Sequence, residues 1–253
     1  MERIVLKVGS AVLTENGKIA HERLDNLVRF IAKLKEKYEV ILVSSGSVAA
    51  GFTVLPLDKT DTANKQTLAA IGQPLLMQTY NAEFKKFGII PSQILLEASI
   101  FGDERRLPNA KNAINNMLKN NVLPIVNEND VTAIEELVFG DNDQLAAYVT
   151  KYFDASMLVI LTDIEGYYDK NPKEHNDAKH QKIVTHIPSE DLEQGTTANC
   201  EFATGGIVTK LKAADFLMKN NLQMYLTSGF RLKHVEFFLL KDNHIKGTLF
   251  TNE

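Results

Sequence analysis

A single cysteine, Cys200, stands in 253 residues, which excludes an internal disulfide and a cluster of thiolate metal ligands. Positive charge is not in excess either. Lys and Arg number 28 against 32 Asp and Glu, a formal charge of -4, so the electropositive face that nucleic acid demands is not expected. No apolar run approaches the ~18 residues of a membrane span, and the opening MERIVLKVGS is too short and polar for a secretory leader. These absences predict a cytoplasmic protein without nucleic-acid or membrane partners. The six histidines never form a His-Glu-x-x-His set, and no residue is expected to be a dedicated metal ligand. Low-complexity linkers, internal repeats and long charge runs are lacking too.

The familiar phosphate-binding signatures are also missing. The chain has no G-x-x-x-x-G-K-[ST] loop, no G-x-G-x-x-G after a strand, no His-Arg-Asp and no Asp-Phe-Gly. GSVAAG carries two glycines at the first interval but no lysine. Asp141-Asn142-Asp143 lacks the later glycine and glutamate of a calcium loop.

What is present is ordinary for a globular protein: 44% hydrophobic and 24% charged residues, enough to bury a core. Short β-branched runs alternate with longer helical patterns. RIVLKVG, EVILVSSG, IIPSQILL, VLPIVNEND, MLVILTD and QMYLTSG are the expected strands. Continuously apolar strands separated by helices imply a mainly parallel sheet covered on both faces, a three-layer α/β/α sandwich. The clearest helix spans 21–38, where Leu24, Leu27, Val28, Ile31, Leu34 and Tyr38 recur at helical spacing. A second runs from about Asn64 to Phe87, with Leu68, Ile71, Leu76, Tyr80 and Phe84 on one side and Pro74 expected to bend it or remove a hydrogen bond. Further helices are expected around Ala110–Leu118 and Leu211–Met218. The polar stretch GYYDKNPKEHNDAKHQK reads as a long loop, and residues 131–139 as a weak hairpin.

Ligands of an open parallel sheet bind beyond the carboxyl ends of its strands. Those ends are unusually polar here: Lys7-Val8-Gly9-Ser10, Ser44-Ser45-Gly46-Ser47, Asn127-Glu128-Asn129-Asp130 and Thr162-Asp163. A shared cleft is expected at that edge. Gly205 and Gly206 precede a helical pattern, so their amides suit an anion, and Lys210 follows Gly206 by about one turn. Of Asp141-Asn142-Asp143, one residue suffices to cap the following helix, which leaves two side chains for other work.

VLKVGS, VSSGSVAAG, PIVNEND, GDNDQLAA, LTDIEGYYDKNP and TGGIVTKLKAA, in that order, resemble the amino acid kinase family over essentially the whole chain. The pairing of NEND with GDND is most similar to the branch that acts on the free side-chain carboxylate of L-glutamate. Relatives acting on N-acetylglutamate, aspartate, carbamate or UMP share the architecture, and a non-catalytic nucleotide- or amino-acid-binding regulator is the alternative of another class. The resemblance implies γ-phosphoryl transfer from ATP with Mg2+ to give glutamyl 5-phosphate, the first step of proline synthesis. It implies that Ser45, Asp130 and Asn142 hold glutamate, that Lys7 and Lys210 touch ATP phosphates, and that Asp143 organises the two lysines. Thr162, Asp163 and the run Thr204, Gly205, Gly206, Ile207, Val208, Thr209, Lys210 would line the nucleotide site. Ala203 and Val208 depart from the glycine and small polar residue common there.

The same resemblance implies an amino-acid-binding lobe over 1–153 and a nucleotide-binding lobe over 154–253; the C-terminal RNA-binding-type module of many bacterial members is not expected in a chain that stops soon after GTLF. A homo-oligomer is expected, and the resemblance implies proline as a feedback inhibitor and glutamyl phosphate reductase as a partner. A glutamate side chain, with a pKa of about 4.3, is already ionised at neutral pH. No general base is needed; the expected work is positioning and charge compensation.

Overall fold

The computed structural model describes residues 1–132, 142–170, 175, 177–193 and 206–252. In chain order, β1 (Glu2–Val8) leads through α1 (Ser10–Leu13) and a small hairpin, β2 (Thr14–Glu15) with β3 (Lys18–Ile19), to α2 (His21–Leu34) and β4 (Tyr38–Ser44). Then come α3 (Ser47–Phe52), α4 (Thr62–Lys85), β5 (Pro91–Leu96), α5 (Arg106–Lys119), β6 (Leu123–Glu128), α6 (Asn142–Tyr152) and β7 (Met157–Thr162). The remainder is the hairpin β8 (Tyr167–Tyr168) with β9 (His180–Gln181), then β10 (Ile183–Val184), α7 (Ser189–Glu193), α8 (Ile207–Lys219), β11 (Gln223–Ser228), α9 (Leu232–Lys241) and β12 (Thr248–Phe250).

Eight strands form one sheet in the order β10-β12-β11-β7-β1-β4-β6-β5. Every neighbouring pair is parallel except β11 with β12. The alternation of side chains along β1 divides the core in two. Ile4, Leu6 and Val8 pack with buried residues of α2, α4 and α9; Val5 packs with those of α5, α6 and α8. The expected three-layer sandwich is therefore observed. All six expected strands are present, within one or two residues at their ends.

Where the pattern misled, pairing outweighed periodicity. Helix α2 buries Leu24, Leu27, Val28, Ile31 and Leu34 as expected, but Tyr38 does not continue it. Tyr38 opens β4 opposite Glu2, and its hydroxyl donates to Leu239 O at 2.8 Å. Helix α4 runs unbroken through Pro74; the ring removes one N–H and so deprives Ala70 O of its helical donor without ending the helix. Ile71 is only half-buried, and Gly72 and Gln73 are the buried residues of that turn. Within the long polar stretch, Tyr167–Tyr168 pairs with His180–Gln181, so part of what reads as loop is a hairpin. Beyond Thr132, the expected 131–139 hairpin lies outside the described residues, as do Cys200 and Ala203.

Helices α3 and α4 meet backbone to backbone. A Cβ on Gly72 would lie 1.8 Å from Ser47 O and 2.4 Å from Gly51 N, and one on Gly51 would lie 2.0 Å from Leu68 O. Only hydrogen fits at either position, so α3, and the β4–α3 turn before it, is held directly on α4. Gly72→Ala should therefore force the two helices apart and destabilise the protein by about 1–3 kcal/mol, the usual range for overpacking; an unchanged urea midpoint would contradict this close approach.

Candidate functional site

Because β1, β4, β6, β7 and β11 run in parallel, their carboxyl ends share one edge. Ser45 N donates to Val8 O at 3.3 Å, Gly9 N to Leu161 O at 3.0 Å and Gly229 N to Thr162 O at 2.7 Å, stitching successive strand ends together. Ser44 Oγ lies 2.8 Å from Tyr80 OH, which ties the end of β4 to α4. Complete burial pushes the Tyr80 hydroxyl pKa up, against the smaller lowering by Ser44, so that group stays a neutral structural contact.

Lys7 alternates with Leu6 and Val8, and so shares the face of Val5, toward α6 and α8. There its Nζ lies 2.5 Å from Asp143 Oδ1. The other carboxylate oxygen, Oδ2, is 3.0 Å from Lys210 Nζ and accepts from Thr209 Oγ1 at 3.2 Å. Relative exposures are 3% for Lys7, 0% for Asp143 and 4% for Lys210. Two ammonium groups against one carboxylate leave these three side chains with a formal excess of one positive charge.

The helices bring them there for local reasons. Asp143 sits in the first turn of α6, where a carboxylate suits the helix dipole. Gly206 caps α8 with no side-chain acceptor, so the first-turn amides look for partners elsewhere. Gly206 O instead accepts from Thr209 Oγ1 at 3.0 Å and Lys210 Nζ at 3.4 Å, which draws the lysine back over the first turn. Gln144 Nε2 donates to Thr209 O at 2.9 Å and fastens α6 to α8.

A second group assembles beside β4. Asn142 Nδ2 donates to Ser45 Oγ at 2.8 Å, to Asn127 Oδ1 at 2.9 Å and more distantly to Ser44 O at 3.4 Å. Asp130 Oδ2 accepts from Ser47 Oγ at 3.1 Å. Burial raises the Asp130 pKa above the usual carboxylate value, and the Ser47 hydrogen bond opposes that only in part. A cavity of about 170 Å³ adjoins it, lined by Gln73, Pro74, Gln93, Glu128 and Asp130 among others.

Of the sequence-predicted residues, the structure thus joins Lys7, Asp143 and Lys210 in one cluster and Ser45 with Asn142 in another. Asn142 and Asp143 are consecutive, so the two clusters are adjacent. Thr162 ends β7, buried, and donates to Asp163 Oδ1 at 3.0 Å; Asp163 itself is exposed. Ile207, Val208 and Thr209 form the half-buried first turn of α8. Thr204, Gly205 and Asp141 lie outside the described residues. Ser47 and Asn127 were visible only as polar strand ends, and Gln73 was not singled out at all. The signal for Gln73 was a polar residue set among the apolar positions of α4.

No group of three metal-capable side chains occurs among the described residues, and Asp143 is engaged by two ammonium groups. Among the described residues no helix is long and apolar enough to cross a membrane.

Residues 2–228 match the profile of the amino acid kinase family. Glutamate 5-kinase of Wolinella succinogenes is 53% identical, over 99% of this chain and 98% of that protein. Glutamate 5-kinase of Leishmania donovani is 51% identical, over 99% and 95% respectively. Among solved structures, UMP kinase from Ureaplasma parvum superposes with a TM-score of 0.63 at 17% identity, covering 99% of this chain and 98% of that one; this likeness concerns the fold.

The raised Asp130 pKa has a consequence for stability. An acid whose folded-state pKa lies above its unfolded value weakens the fold once pH exceeds the unfolded value. Asp130→Asn should raise the melting temperature at pH 7, and the gain should vanish as pH falls below about 3.9, the unfolded carboxylate pKa. A melting temperature at pH 7 equal to or below that of the unaltered chain would refute the assignment of burial as the dominant effect.

Proposed function

Since this chain belongs to the amino acid kinase family, we propose that it transfers the γ-phosphoryl group of ATP to the side-chain carboxylate of L-glutamate, releasing ADP and glutamyl 5-phosphate. The observation that carries the reading is the buried Lys7–Asp143–Lys210 junction at the carboxyl edge of the sheet. The nucleophile is already an anion, so the obstacle is bringing it to an anionic triphosphate. Two ammonium groups fixed on one carboxylate supply positive charge with little reorganisation. Lys7 is assigned to the transferring phosphoryl and Lys210 to the leaving β-phosphate side. Asp143 is acceptor-only when ionised and holds both. The amides of Gly205, Gly206, Ile207, Val208 and Thr209, after Thr204, would meet the phosphates, and Thr162 with Asp163 would border the nucleotide. Mg2+ would travel with ATP and offset phosphate charge.

Ser45, Asn142 and Asp130 are assigned to glutamate, with the Asp130 carboxylate facing the substrate ammonium. That charge favours the free amine over an acetylated one, which separates this reading from an N-acetylglutamate kinase. The division into an acceptor lobe (1–153) and a nucleotide lobe (154–253) belongs to the same proposal. So do a place at the start of proline synthesis, feedback inhibition by proline and hand-over of the acyl phosphate to glutamyl phosphate reductase, which rest on the family resemblance, together with a homo-oligomeric state and a cytoplasmic site of action.

ADP release measured with glutamate, N-acetylglutamate, aspartate and UMP side by side should favour glutamate; preference for any other acceptor overturns the assignment. Lys210→Met, which keeps the apolar stem, should lower kcat by about 100-fold, the loss of roughly 3 kcal/mol expected for one preorganised donor, with the melting curve still cooperative. Near-normal turnover would remove Lys210 from the mechanism.

A further inference from the structure

Four side-chain amides form a single chain through the core. Asn142 Nδ2 donates to Asn127 Oδ1 at 2.9 Å, Asn127 Nδ2 to Gln73 Oε1 at 3.0 Å, and Gln73 Nε2 to Gln93 Oε1 at 3.1 Å. The chain crosses from α6 through β6 and α4 to the exposed edge strand β5. Asn127 and Gln73 are buried, at 3% and 8% exposure, so neither can exchange its partner freely for water.

The orientation of a carboxamide is ambiguous on shape alone, but one contact here removes the ambiguity. Glu128 N lies 2.9 Å from Asn127 Oδ1. A main-chain N–H only donates, so the atom it meets is oxygen. It follows that the Asn142 atom facing the same oxygen is its NH2, that Asn127 turns its own NH2 to Gln73, and that Gln73 presents oxygen to Asn127 and nitrogen to Gln93. Every amide in the row is set by a single peptide group.

The outcome reaches the acceptor site. With one N–H on Asn127, Asn142 spends the other on Ser45 Oγ at 2.8 Å. Ser45 oxygen thus accepts, and its hydroxyl hydrogen is left to donate outward. Among the described residues nothing donates to Asn142 Oδ1. The pair therefore offers a substrate one donor, at Ser45, and one acceptor, at Asn142: a carboxylate oxygen fits the first and an ammonium hydrogen the second.

We propose that Asn127, pinned by the Glu128 peptide and steadied by Gln73, is a positioning residue that fixes the donor and acceptor polarity of Asn142 and Ser45 toward the amino acid substrate. The proposal rests on the reading of this site as the glutamate site. If the Asn127 amide is lost, Asn142 is free to turn over, present NH2 where oxygen is required and repel the ammonium group; if Gln73 is lost, Asn127 keeps its oxygen on Glu128 N and loses only the acceptor that steadies its NH2. The step affected is acceptor binding; the lysine junction is untouched.

The test is steady-state kinetics of the full chain carrying Gln73→Leu or, with less demand on the core, Asn127→Ser, each checked first by thermal melting. Asn127→Ser should raise the KM for glutamate by about tenfold, the scale of a hydrogen bond to a charged group, and Gln73→Leu should raise it by less. kcat and the KM for ATP should stay within about threefold, a split that general loss of stability does not produce. Each should also add nothing further in an Asn142→Ala background, because the amides act through Asn142. Unchanged glutamate KM, equal losses in glutamate and ATP affinity, or effects that multiply with Asn142→Ala would overturn the proposal while leaving the glutamate reading intact. Absence of glutamate-dependent ADP release by the unaltered chain would overturn both.

Discussion

A carboxylate shared between two ammonium groups, all three buried, is the constraint around which the rest of the molecule is arranged. Lys7, Asp143 and Lys210 come from the centre of the sheet, the start of α6 and the start of α8. Removing three charges from water costs several kcal/mol per ion, and their mutual attraction offsets this only with good geometry. Well-packed apolar residues would suit stability at least as well. The arrangement makes physical sense as a place where positive charge is stored for an anionic ligand, with Asp143 preventing two like charges from driving each other apart. The fold supplies the geometry: alternation on β1 aims Lys7 at the α6–α8 face, and both helices begin at that edge.

The acceptor side follows a different logic. Its groups are amides and hydroxyls beside the carboxylates of Asp130 and the buried Glu128, and the turn that carries Ser45 and Ser47 is held by close backbone approach. Gly51 and Gly72 let α3 lie on α4 with Ser47 O against the Gly72 backbone, and Ser47 in turn donates to Asp130. The turn between β4 and α3 is thus fastened to the core by main-chain contact. Long side chains would have left it play.

Much of this was legible in the residues. The six strands announce themselves because fully buried parallel strands are continuously apolar, and the polar residues that close them mark the edge where Lys7, Ser45, Asn127, Asp130 and Thr162 are found. Pairing of Lys7 and Lys210 on Asp143 was expected from resemblance rather than from spacing, since residues 67 and 136 positions apart carry no local signature. Three things were hidden. Tyr38 completes a helical stripe yet belongs to a strand, because pairing with β1 is a non-local gain. β10 and β12 have two and three residues, too few to show a period. Gln73 stands out as a polar residue among the apolar positions of α4, but no local pattern reveals that Asn127 lies opposite it.

Strand β1 hydrogen-bonds to β4 over seven residue pairs on one side and to β7 over five on the other. The ladder is therefore unbroken from β6 and β4 through β1 to β7 and β11. Rotating one half against the other as rigid bodies would rupture a central ladder buried on both faces, far more costly than shifting a surface turn. A movement that spares this ladder leaves Lys7 fixed at the end of β1 and changes only what lies beyond the sheet edge.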